Sequence, residues 1–162
     1  MDDHEIEAEI RRLAASGRDE PLFFGPVPDE VIEGAERELG VRFPRSYRAF
    51  LRRLGAAYMV HQEFFGLPFP MTPEKEAYPF CFSDVVDVTK LFRKGSANDG
   101  LSRNLINVST DGGECYYYID VSRRDERDEC PVVLMGSGAP MVVVADDFLE
   151  FVRKIALNEP LF

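Results

Sequence analysis

The chain has 162 residues, of which 45% are hydrophobic and 30% are charged, a size and composition typical of one globular domain. Its formal net charge is −10 at pH 7, which argues against nucleic acid as a partner because lysine and arginine supply most phosphate-backbone affinity. We therefore expect a basic protein partner.

The sequence also bears on the compartment. The first ten residues, MDDHEIEAEI, are acidic where a secretory signal is basic. The apolar run at residues 141–145 is far too short to span a bilayer. We therefore expect a cytoplasmic protein that makes no membrane contact.

The cysteines predict neither a disulfide framework nor a metal centre. Cys81, Cys115 and Cys130 are widely spaced, and His4 and His61 are the only histidines. Structural zinc sites use four ligands, usually closely spaced in pairs, and three thiols suit a reducing compartment. We expect inert thiols and no metal.

Charge is distributed unevenly along the chain. Residues 1–41 contain 12 acids and 4 bases, whereas residues 42–53 contain five arginines and no acid. The arginine-rich segment has two interpretations, a contact surface for an acidic partner or a solvated outer face.

The first predicted elements are helical. Apolar residues recur at helical spacing over residues 3–15 and on one side of each half of residues 28–55. In the second segment, Gly40 predicts the end of one helix, Pro44 the start of the next and Gly55 its end. We therefore expect a helix hairpin with a buried face.

The remaining chain predicts a sheet between two further helices. Residues 58–65 read as one strand, and Ser83 with Asp84 reads as the cap of a helix that ends before Gly95. Three or four more short strands are predicted over residues 104–109, 114–121, 131–135 and 141–144.

These later strands have short connections, which favour antiparallel pairing. Residues 122–129 contain three arginines and four acids and are expected to form a solvated loop. Asp146 or Asp147 is expected to cap the last helix. The predicted fold class is α+β, in which a small, mainly antiparallel sheet packs against an N-terminal helix pair and a C-terminal helix, as one domain over residues 1–162.

An ordered set of motifs runs through residues 25–157. The helix hairpin carries E-x-x-L-G-x-x-F-P-x-x-Y-x-x-F-L-x-x-x-G, with signature positions Glu36, Leu39, Gly40, Phe43, Pro44, Tyr47, Phe50, Leu51 and Gly55. Later motifs are an apolar strand, an acidic glycine-rich turn, a strand ending in aspartate, a Pro-Val strand start and F-x-x-F in the last helix. In this order the motifs resemble the SUKH superfamily of Smi/Knr type.

The resemblance implies an α+β domain that binds proteins without catalysis. Many bacterial members are immunity proteins that neutralise secreted toxins, whereas eukaryotic relatives act as adaptors. We therefore expect an immunity protein for a basic toxin domain, with an intracellular adaptor as the alternative. Glu36, Gly40, Pro44, Tyr47 and Phe50 are then structural signature positions.

No catalytic motif accompanies these features. The sequence has no G-x-S-x-G, H-E-x-x-H, phosphate-binding loop or G-x-G-x-x-G. His61 has no evident cysteine or serine partner and is expected to be structural. We expect no catalytic residue and no cofactor.

One segment has the composition of a binding surface. Alternation along the strand places Tyr116 and Tyr118 on the same side, near the acids Asp111, Glu114 and Asp120. Exposed tyrosines beside carboxylates are typical of interface anchors. Turn formation is the competing interpretation of the acids at the glycine pair, and a catalytic or metal-binding carboxylate group is the third.

Glu36 has a predicted architectural role. It stands one turn before Gly40, so its carboxylate is expected to accept from free N–H groups near Arg45 and Ser46 at the start of the second hairpin helix.

Overall fold

The computed structural model describes residues 1–67, 84–95, 102–113, 115–136 and 140–162. These residues form five helices and one seven-stranded sheet. The helices are α1 (Asp3–Ala14), α2 (Asp29–Leu39), α3 (Arg45–Leu54), α4 (Val85–Arg93) and α5 (Phe148–Ala156). The strands are β1 (Leu22–Phe23), β2 (Ala57–Met59), β3 (Gln62–Phe64), β4 (Leu105–Thr110), β5 (Tyr116–Asp120), β6 (Val132–Met135) and β7 (Val142–Ala145).

The sheet is an antiparallel meander. Its strands lie in the order β1 to β7, and each pairs with the next along the chain. The predicted α+β class is therefore confirmed. Among the described residues, no helix is both long and apolar enough to cross a bilayer.

One predicted strand is wrong. Residues 58–65 form a hairpin of β2 and β3, because Val60 and His61 turn the chain with φ angles of 48° and 61°. Two-residue hairpins favour asparagine and glycine at such angles, so valine and histidine gave no turn signal. His61 consequently lies in an exposed turn, where its Nδ1 is 3.1 Å from Asp19 Oδ2.

Two glycines end the hairpin helices. Gly40 closes α2 with a left-handed φ of 68°, and Gly55 closes α3 with a φ of 76°. At Gly55 an added Cβ would lie 2.7 Å from the Gly25 backbone. Only glycine therefore suits both this backbone angle and this close approach.

One face of the sheet, named here the covered face, packs beneath α1, α3 and α5. These helices contact one another, and their buried side chains join one core with inward residues of the strands. The ring of Phe148 lies 5.0 Å from Tyr47 and 5.1 Å from Phe50, and Phe151 lies 4.8 Å from Tyr117. The Tyr47 hydroxyl, which is fully buried, donates to the Phe65 carbonyl at 2.8 Å.

The opposite face, named here the second face, has a smaller cluster. Leu105, Tyr118 and Val133 are buried there, and Tyr116 and Met135 are partly buried beside them. Phe92 of α4 packs on this face, with ring centroids 4.7 Å from Tyr116 and 6.2 Å from Tyr118.

The arginines at residues 42–53 all have partners within the chain. Arg48 pairs with Glu36 at 2.5 Å, and Arg53 pairs with Glu7 at 2.7 Å. The other contacts are Arg42 with Asp128, Arg52 with Asp3 and Asp29, and Arg45 with the Met1 carbonyl. The acidic N-terminal segment thus neutralises much of the arginine-rich helix, which leaves these arginines less available to an acidic partner.

The start of α3 is capped from elsewhere in the chain. Ser46 donates from its backbone N and its hydroxyl to Glu129, at 3.0 and 2.8 Å, and Arg45 N donates to the Asp128 carbonyl at 2.9 Å. The prediction for Glu36 at this position is wrong, because its carboxylate pairs with Arg48 instead.

This cap also corrects the prediction for residues 122–129. The loop is exposed at its tip, but Glu129 is only 7% exposed. Burial raises the pKa of the Glu129 carboxyl, and its hydrogen bonds with Ser46 offset only part of that rise. The loop therefore holds a buried carboxylate at the positive end of α3.

Candidate protein-binding surface

The predicted tyrosine patch is largely buried. Tyr116 is partly exposed, but Tyr118 is 3% exposed. Side-chain alternation is as predicted, with Tyr117 on the covered face, yet Tyr118 packs against Leu105 and Val133 under Phe92. Burial raises the pKa of the Tyr118 hydroxyl to about 12. The expectation of two exposed tyrosines is therefore wrong for Tyr118.

The acids of the patch do not form one group either. Asp120 is 5% exposed and accepts from Ser122 N at 3.1 Å and from Ser122 Oγ at 2.6 Å. This carboxylate stabilises a local turn at the end of β5. It is not accessible at the surface, contrary to the prediction. Glu114 lies outside the described residues.

Asp111 is exposed and forms its own turn. Its Oδ1 accepts from Gly113 N at 2.8 Å, and Gly112 has a φ of 81°. Asp111 therefore stabilises the turn, as the turn interpretation predicted. Its side chain is also exposed to solvent. From the predicted patch, Asp111 and Tyr116 are the described residues that remain accessible.

A different set of accessible apolar residues lies at β7. Met141, Val142 and Val143 are 49%, 36% and 39% exposed, and we name these three residues the β7 strip. Their cross-strand partners place Val143 opposite Val133 and Val142 opposite Leu134, so the strip is exposed on both faces of the sheet. Consecutive exposed apolar residues of this kind are unfavourable unless they serve a function.

The β7 strip also lies at an edge of the sheet that the described residues form. Among the described residues, β7 pairs with β6 alone, so it ends the sheet. The far half of β7 is closed: Val144 and Ala145 are buried, and Lys154 Nζ donates to the Val144 carbonyl at 2.9 Å. An extended segment of a partner can pair with the open half by β-strand addition.

The β7 strip continues onto the second face. Across the sheet, Val133 lies between Val143 and Tyr118. Two residues along the strands from Val133 and Tyr118, Met135 pairs with Tyr116. We define the β5–β7 surface as the β7 strip together with Met135 and Tyr116. Asp146, exposed just beyond β7, and Asp111, exposed near Tyr116, give this apolar surface an acidic margin.

Sequence reasoning missed the β7 strip. Residues 141–144 were predicted as a strand, and an apolar run is typical of a strand buried on both faces. The exposure of the β7 strip depends on β7 being the last strand of the described sheet and on how far α5 extends over that strand. Both are properties of the topology.

Two findings concern reactive and metal-ligating side chains among the described residues. Burial raises the pKa of the Cys130 thiol to about 11, so the reactive thiolate is scarce at neutral pH. Among the described side chains, no three metal-ligating groups of His, Cys, Asp and Glu lie together. Cys81 lies outside the described residues.

Together the fold and surface define an α+β domain with an apolar, acid-rimmed sheet edge. The chain matches the SMI1 / KNR4 family (SUKH-1) over residues 26–154 and belongs to that family. A comparison with curated proteins finds no match. Family membership indicates protein–protein binding in general and is consistent with immunity or Smi/Knr-like roles.

Proposed function

We propose that the protein is a cytoplasmic, non-enzymatic immunity protein that neutralises a cognate secreted bacterial toxin by direct, non-covalent binding. The observation that carries the proposal is the β7 strip, three consecutive exposed apolar residues at a sheet edge in a chain of the SUKH-1 family.

Charge supports a basic toxin domain as the partner. The chain has 29 acids and 19 bases, and the arginines of α3 are already paired within the chain. The remaining excess of carboxylates attracts a basic partner over long distances and accelerates its association. A basic nucleic-acid-cleaving toxin has complementary charge.

The geometry supports one binding mode. An extended segment of the toxin pairs with the open half of β7, and its side chains contact Met135 and Tyr116 on the second face. Main-chain hydrogen bonds then supply affinity, while the apolar contacts and the acidic margin supply specificity. Occlusion of the toxin's active surface follows from this contact and requires no chemistry.

The test uses the toxin domain encoded nearest upstream of this gene. Co-expression of the full chain should restore growth of cells that produce the toxin domain, and calorimetry should show a complex. The double variant Met141→Ser with Val143→Ser should bind the toxin at least about tenfold more weakly, since interface anchors contribute more than about 1 kcal/mol each.

Leu157→Ser is the matched control, because Leu157 is 48% exposed outside the β5–β7 surface. The control variant should bind the toxin with unchanged affinity. Equal losses in both variants would contradict the proposed surface, and failure to protect cells from the toxin would contradict the proposed function. The adaptor alternative predicts binding to several regulators of the host cell and no protection.

A further inference from the structure

The cations that lack a carboxylate partner are concentrated in one place. Most arginines and lysines of the described residues lie within 4.0 Å of a carboxylate. Four of those without such a partner, Arg37, Arg93, Lys94 and Arg103, line a single cleft. In a chain of net charge −10, this clustering contrasts with the carboxylate pairing of most other described arginines.

The cleft lies where the C-terminal ends of α2 and α4 meet. Its volume is about 660 Å³, and Leu39 and Gly40 form its wall on the α2 side. Glu38 also lines the cleft, but its carboxylate is paired with Lys90 at 2.6 Å. With five cations and one carboxylate, the described residues of the lining have a formal excess of +4.

Arg93 lies at the centre of this arrangement. Its Nη1 donates to the Leu39 carbonyl at 2.9 Å and its Nη2 to the Arg103 carbonyl at 2.8 Å. Its Nε is buried and has no hydrogen-bond partner. Burial lowers the pKa of the Arg93 guanidinium, and the positive charge of Arg103 lowers it further. Arg93 and Arg103 therefore repel each other, and among the described residues neither has a carboxylate partner within 4.0 Å.

Helix dipoles explain only part of this arrangement. A cation at a helix C-terminus is favourable, and the bond from Arg93 to the Leu39 carbonyl has that role. Arg103 precedes β4 and lies on no helix, so the dipole of a helix does not account for its position. Arg37 and Lys94 are exposed at the rim, and among the described residues neither has a carboxylate partner within 4.0 Å.

We propose that this cleft binds a small oxyanion ligand carrying several negative charges, of the pyrophosphate or polycarboxylate class. A cavity of several hundred cubic ångströms has the size of a small-molecule site, and arginine forks bind phosphate and carboxylate oxygens in pairs. Among the described residues of the lining, Leu39 is the one large apolar side chain, so recognition acts through charge. This inference does not depend on toxin binding.

The test measures binding of pyrophosphate and of citrate to the full chain by calorimetry at constant ionic strength. Saturable binding to one site is expected. The double variant Arg37→Gln with Arg103→Gln should bind at least about tenfold more weakly, because each lost charged hydrogen bond weakens binding by roughly that factor. If pyrophosphate binds more tightly than citrate, the ligand belongs to the phosphate class. If citrate binds more tightly, it belongs to the polycarboxylate class.

Arg18→Gln with Arg123→Gln is the matched control. Both residues are exposed, lack a carboxylate partner within 4.0 Å and lie outside the cleft, so the control variant has the same net charge as the cleft variant. Its affinity should equal that of the unmodified chain, and circular dichroism should show that both variants are folded. Absence of saturable binding in the unmodified chain, or equal weakening in both variants, would overturn the proposal.

Discussion

The two faces of the sheet differ in how completely their side chains are buried. On the covered face, Tyr117, Ile119 and Val132 lie beneath three helices and are 5% exposed or less. On the second face, burial decreases along one cross-strand ladder, from 3% exposure at Tyr118 and 0% at Val133 to 39% at Val143.

The difference shows what the helices determine. Alternation assigns each strand residue to a face, but the packing of helices decides whether that face is a core or a surface. Where the cover ends at β7, apolar residues remain accessible. The contrast predicts that stability depends mainly on the covered face and that binding depends on the β7 strip.

The largest expected effect is on the covered face. Phe148→Ala should lower the free energy of unfolding by about 3–5 kcal/mol, because deletion of a buried ring leaves a cavity among Tyr47, Phe50 and Phe64. Urea unfolding measures the change. A loss below about 1 kcal/mol would show that this core does not stabilise the fold as described.

The next effect concerns the cap of α3. Glu129→Ala should lower the free energy of unfolding by about 1–2 kcal/mol, since two donors of Ser46 lose their acceptor. Glu129→Gln keeps an acceptor and should be closer to the unmodified chain. Equal losses in the two variants would contradict the capping role.

The pH dependence of Glu129 sharpens this prediction. Burial raises its pKa in the folded chain above the unfolded value, so folding is favoured when the carboxyl is protonated. This contribution is fully present below the unfolded pKa and is lost as pH rises through the folded pKa. The stability of the unmodified chain relative to Glu129→Gln should therefore fall as pH rises, as thermal unfolding at several pH values can show.

A smaller loss is expected at the hairpin signature. Glu36→Gln weakens the ion pair with Arg48, in which the Glu36 side chain is 12% exposed and the Arg48 side chain is 33% exposed. This change should lower the free energy of unfolding by about 0.5–1 kcal/mol. Toxin affinity should not change, because this pair lies away from the β5–β7 surface. Full stability with binding lost would overturn the architectural role of Glu36.

The smallest effect on stability is expected at β7. Val143→Ala should change the free energy of unfolding by less than about 0.5 kcal/mol, whereas Val132→Ala, on the covered face and 0% exposed, should lower it by about 1–3 kcal/mol. Urea unfolding of both variants compares the same side-chain change on the two faces. Similar losses would show that Val143 belongs to the core.

Local signals in the sequence predicted much of the fold. Gly40 and Gly55 marked helix ends because positive φ angles select glycine, and Asp84 and Asp147 marked helix starts because their carboxylates accept from free backbone N–H groups. The family resemblance added the order of the elements, which no single periodicity contains.

The failures involve contacts between distant residues. Glu129 caps α3 from 83 positions away, so the local motif pointed to Glu36 instead. Tyr118 is buried because Phe92, on another element, covers it. The β7 strip and the cleft between the C-terminal ends of α2 and α4 likewise depend on which elements pack together. The spacing of residues along the chain does not reveal which elements become neighbours.

Hydrogen–deuterium exchange of the chain, with and without the toxin domain encoded nearest upstream, tests whether the β7 strip is the binding surface. We expect slower exchange of backbone amides in the β7 strip on complex formation, with exchange in α3 unchanged. Protection of α3 with no change at residues 141–143 would contradict this expectation.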